Sequence, residues 1–152
     1  MAQVKKLAPQ LRLNPAKTAC DMETLQAVIA NRYEVTAKYA KSLKKTYSEE
    51  IARLKLQASD KFDVDVARAR QWLHLDENFL TPMQKAKITE LIAASPTLEK
   101  AYALRQELAA IWERSTVSKE LLLKQLEDWC RRAENSGIAA LQEFSQRLRC
   151  YA

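Results

Sequence analysis

Apolar positions recur along this chain every three or four residues, with hardly a stretch of strict alternation. From Asp21, a residue suited to an N-cap, to about Ala58 there is no proline or glycine. Leu25, Ile29, Tyr33, Thr36, Ala40, Leu43, Tyr47, Ile51 and Leu54 form one such series. This predicts a helix over 21–58, ~57 Å long at 1.5 Å per residue, with room for one break. Such length predicts that part of it projects or packs on a partner. Shorter helices are predicted at 64–74, 82–94, 96–114, 119–135 and 138–150. Thr81-Pro82-Met83-Gln84 has the capping-box pattern, and Ser95-Pro96 repeats the Ser-Pro start. Asp63 and Asp65 read as helix-starting residues, and Ser118 as a further cap.

Composition narrows the class. The chain has 152 residues, one glycine and four prolines, so it has little means of making tight strand reversals. The expected fold is all-α: a long N-terminal helix and a compact bundle of four to five shorter ones, forming one helical domain over 21–152. Residues 1–20 contain Pro9 and Pro15, four basic residues and no acid, which reads as a basic extended arm or linker. The lone Gly137 follows Glu134-Asn135-Ser136 and is expected at C′ in the left-handed conformation, a helix cap that lets two antiparallel helices meet across a short loop. No apolar run approaches a membrane span, and the first twenty residues contain no signal-peptide core. Three scattered cysteines make no disulfide framework, and the expected compartment is the cytoplasm.

Candidate chemistry is sparse. His74 pairs at helical spacing only with Glu77, too little for a metal site, so a partly buried structural histidine is expected. Cys150 has no general base nearby and reads as a helix-face cysteine. No phosphate-cradling loop, nucleophile elbow or paired-cysteine motif occurs, so neither a catalytic residue nor a metal or other cofactor is assigned to this chain. Charge says more. Through Ala58 there are eleven basic and five acidic residues, and after it fourteen of each. Lys38, Lys41 and Lys45 share one helical sector opposite Leu43 and, with Lys5, Lys6, Arg12 and Lys17 of the arm, are the candidate surface for an anionic partner. A solvated face, membrane headgroups and nucleic-acid phosphates are all compatible with it. Tyr33, Tyr39 and Tyr47 interleave with the stripe and could stack on bases, although Tyr33 and Tyr47 fit the apolar face. No small-molecule ligand is evident.

The arm Val4-Lys5-Lys6-Leu7-Ala8-Pro9, the runs "DMETLQAVIANRYEVTAKYAK" and "LTPMQKAKITELIAASPTLEKAYALRQELAAIWERS", and "LEDWCRRAENSGIAALQEFSQRLRCY" together resemble the C-terminal extension of bacterial membrane fatty-acid desaturases. That resemblance implies a non-catalytic domain at the cytosolic face of the inner membrane. It would dock on the bilayer, the desaturase catalytic part, or a redox or acyl-carrier partner. The parent would be an oxidoreductase of lipid metabolism, with its di-iron site in the absent catalytic part. From Leu80 onward the chain also resembles a helical segment of DDE-class insertion-sequence transposases, which implies a nucleic-acid-associated helical module. The arm and long helix favour the desaturase reading.

Overall fold

Most of the helices begin where a side chain can satisfy backbone N–H groups that lack an intrahelical partner. A computed structural model describes residues 20–58, 60–75, 77–113 and 117–151. Among the described residues the fold is all-α, with no strand. Its helices are α1 (Met22–Ala30), α2 (Arg32–Gln57), α3 (Val66–Leu73), α4 (Pro82–Ala94), α5 (Pro96–Glu113), α6 (Lys119–Glu134) and α7 (Ala139–Arg149), with a 3-10 turn at Glu77–Phe79. Asp21, Asp65 and Ser118 cap α1, α3 and α6 by accepting from Thr24, Arg68 and Leu121 N–H groups. The capping box of α4 is complete. Thr81 Oγ1 accepts from Gln84 N at 3.1 Å, and Gln84 Oε1 accepts from Thr81 N at 2.9 Å. At the start of α5, buried Ser95 accepts from Leu98 N at 3.2 Å and donates to Glu50 at 3.0 Å.

The helix predicted over 21–58 is interrupted at Asn31. This residue caps α1 with φ −114° and ψ 31°, its side-chain amide donates to Ala27 O at 2.9 Å, and its own carbonyl accepts from Val35 N. Burial also follows a different row from the one read in the sequence. Val35, Tyr39, Leu43, Tyr47 and Ile51 are buried, each four residues after the last. Steps of four gain about 40° of rotation each, so the buried line winds around α2. A straight stripe would have included Tyr33, which is instead 80% exposed.

The chain divides into two compact units. The first takes the residues up to Ala37 together with Glu107 onward, and the second takes Lys38–Gln106. In the first, α1, α6 and α7 pack on one another around Leu25, Val28, Leu126, Trp129, Leu141 and Phe144. Trp129 meets Phe144 edge-on, with centroids 5.9 Å apart. In the second, α3 packs on α4, and the Tyr39 hydroxyl donates to Ala101 O at 2.5 Å. The basic arm over 1–20 lies outside the described residues, apart from Cys20.

Between α6 and α7 the chain turns through Gly137, whose φ is +79°. The α6 cap is Asn135, so Gly137 stands one position beyond the expected C′. Ser136 occupies that position, its hydroxyl donating to Ala133 O at 2.7 Å and accepting from Ile138 N at 3.1 Å. Buried Ile138 then leads into α7.

Candidate functional site

The second unit carries the lysine face. With Leu43 and Tyr47 of α2 buried, geometry turns the opposite side outward, and Lys38, Lys41 and Lys45 are all exposed there. Lys44, left out of the sequence-derived stripe, is exposed beside them. It stands three residues after Lys41, and that spacing was the signal that could have included it. Lys45 approaches Glu49 at only 4.0 Å, both side chains lying in solvent. Such a pair holds its lysine weakly. The face can therefore present several cations along one helix to a polyanion. Lys5, Lys6, Arg12 and Lys17 lie outside the described residues.

The tyrosines do not join that face. Tyr39 and Tyr47 are buried, so neither can stack on a base, and this corrects their reading as interleaved platforms. Tyr33, expected on the apolar side, is exposed, with the Arg32 guanidinium 4.8 Å from its ring centre. Tyr47 instead covers His74, with ring centroids 4.8 Å apart. The imidazole is pushed down to about 4 by burial, with the Arg105 and Arg70 guanidiniums acting in the same direction. Arg105 donates to the His74 carbonyl at 2.5 Å and Arg70 to Ser48 Oγ at 3.0 Å. Among the described residues no group of three or more His, Cys, Asp or Glu side chains is placed to hold a metal.

A charged cluster that the sequence reading missed lies in the first unit. The Arg149 side chain is 6% exposed. It donates to Glu134 at 2.6 and 3.2 Å and to Glu127 at 2.8 Å, and Ser145 donates to Glu134 at 2.7 Å. The carboxyl of Glu134 is held below its ordinary range: burial opposes ionisation, but the Arg149 and Ser145 hydrogen bonds outweigh it. The signal was positional, because Arg149 stands four residues after Ser145 and eight after Leu141 on the buried side of α7. The groups are mutually satisfied, which is the arrangement of a structural network.

Fold and surface together define a helical module with one lysine-lined face. A profile of transposases, the ISL3-type DDE family, matches residues 17–152, and the chain belongs to that family. It is similar to the transposase for insertion sequence element IS1001 of Bordetella parapertussis, 29% identical over 132 residues, covering 82% of this chain and 30% of that protein. The chain thus spans under a third of that relative's length. No solved structure matches it.

These findings overturn the desaturase reading. Three of the four stretches that carried the resemblance fall inside residues 17–152, the span matched by the transposase profile. The lipid-metabolism role, the di-iron parent, the redox or acyl-carrier partner and the place at the inner membrane rested on that resemblance and fall with it. No helix among the described residues is long and apolar enough to cross a membrane.

Proposed function

We propose that this chain is a helical, non-catalytic part of an insertion-sequence transposase that contacts nucleic acid through the exposed lysine face of α2. Membership of the transposase family carries the reading. The charge distribution supports it, because the excess of basic residues is confined to the part of the chain ending at Ala58 and the described lysines of that part include four along one exposed helix face. In a DDE enzyme the reacting carboxylates are set on a sheet, and this helical segment works beside them in a longer protein. Its part is to hold the phosphate backbone, a sequence-independent task suited to lysine ammonium groups.

The test is a mobility shift with duplex and single-stranded DNA across a salt series, using the wild type and Lys38→Gln/Lys41→Gln/Lys45→Gln. The wild type is expected to bind at micromolar affinity in low salt. The triple variant should lose most of that binding, and the slope of log K against log salt should fall by about 2–3 in magnitude, as three phosphate contacts disappear. Helicity should be unchanged. Equal affinity and slope in the two proteins would remove the lysine face from the account. Binding to vesicles of anionic lipid that exceeds binding to DNA at equal salt would count against nucleic acid as the partner.

A further inference from the structure

Two of the three cysteines, 110 positions apart in sequence, meet in the first unit. Cys20 Sγ and Cys130 Sγ lie 3.8 Å apart, both buried. Their closeness is built into the surroundings. The Cys20 backbone N–H donates to Glu127 Oε1 at 2.9 Å, Glu127 stands one helical turn before Cys130, and buried Arg149 grips Glu127 at 2.8 Å. Helices α1 and α6 pack directly on each other. Cys20 precedes the N-cap Asp21, outside any helix, so its end of the pair is free to adjust by the ~1.7 Å that separates this contact from a bond of ~2.05 Å.

We propose that Cys20 and Cys130 form a redox site, joining as an intramolecular disulfide when the protein meets a small-molecule disulfide such as oxidised glutathione. Cys20 keeps 9% exposure and Cys130 has none, so exchange begins at Cys20, although its hydrogen bond to Cys130 and its burial push the Cys20 thiol up and make this the slow step. Its thiol loses a proton to solvent, attacks one sulfur of the oxidant, and expels the other as a thiolate that takes up a proton. Cys130 then attacks Cys20 Sγ, giving its own proton to solvent, and the second thiolate leaves. The protein gives up two electrons and two protons, and the oxidant becomes two thiols. The resolving role suits Cys130, whose ionisation is favoured by the hydrogen bond to Cys20, the Ser145 hydroxyl and the Arg149 guanidinium, against the opposing effect of burial. The product fastens the chain ahead of α1 to the C-terminal part of α6. In a reducing compartment the pair stays open, so the bond records exposure to oxidant.

The experiment uses the full chain with Cys150→Ser, which removes the third thiol. After incubation with excess oxidised glutathione at pH 8, with and without urea below the unfolding transition, free thiols are alkylated and peptides are mapped without reduction. The expected result is a Cys20–Cys130 linked peptide in a monomeric protein. Its thermal midpoint should be raised by about 10 °C, as expected for closing a loop of this length, and dithiothreitol should reverse the shift. Adding Cys20→Ser should abolish the shift and leave Cys130 recoverable as a thiol. Recovery of both thiols under both conditions, a persistent glutathione adduct on Cys20 without the link, or cross-linked dimers would each overturn the proposal.

Discussion

His74 shows how much of a residue's behaviour is set by its neighbours. An imidazole with an ordinary value of 6.5 is brought to about 4 under the Tyr47 ring. The unfolded chain therefore takes up a proton between pH 6.5 and pH 4 that the folded protein refuses. The stabilisation is complete above pH 6.5 and is lost as pH falls through that window, by about 3 kcal/mol in all. Urea titrations from pH 7 to pH 4.5 should show this slope in the wild type and a flatter one in His74→Leu, whereas parallel slopes would place the acid sensitivity elsewhere. Gly137 presents the complementary case, a position governed by backbone alone. A Cβ there would meet nothing within 4 Å, yet φ is +79°. Gly137→Ala should therefore cost about 1 kcal/mol without any clash, and Gly137→Asn less, since asparagine tolerates the left-handed region better. An unchanged denaturation midpoint in the alanine variant would show that the turn relaxes out of that conformation.

At the scale of the element, legibility followed local chemistry. The start of α4 could be read from Thr81, Pro82 and Gln84 because a capping box is satisfied within four residues. Asp65 and Ser118 were legible for the same reason. What sequence did not disclose depends on partners distant along the chain. The α2 row Val35–Tyr39–Leu43–Tyr47–Ile51 was misread at Tyr33 because only packing decides which of two neighbouring rows is covered. The spacing that puts Arg149 on the buried side of α7 does not name its partners Glu127 and Glu134, and the meeting of Cys20 with Cys130 was invisible, because no local spacing announces that α6, α7 and the start of α1 come together. The mistaken desaturase resemblance has a related cause. The runs that carried it, such as "DWCRRAENSGIAALQEF", encode a helix, a positive-φ turn and a second helix. That pattern specifies packing and contains no reacting group, so unrelated proteins can share it.

For the molecule as a whole, the remaining issue is whether polyanion binding is local or diffuse. A chain of net charge +6 and pI near 9.3 is drawn to DNA from any direction by its overall field. A built interface must do more, by holding some lysines against phosphate while others stay in solvent. Lysine acetylation with and without duplex DNA separates the two, because a contacted ammonium group is shielded from the reagent. If α2 supplies the contact, Lys38, Lys41, Lys44 and Lys45 should be acetylated several-fold more slowly in the complex. Lys85 and Lys119, exposed on α4 and α6, should react at nearly the free rate. Protection spread evenly over all six would mean that the field alone gathers DNA, with no face selected. Local protection should also weaken with added salt in step with the loss of affinity, since both report the same displaced counterions. A protected set that included Lys85 or Lys119 but spared the α2 lysines would move the interface off the long helix altogether.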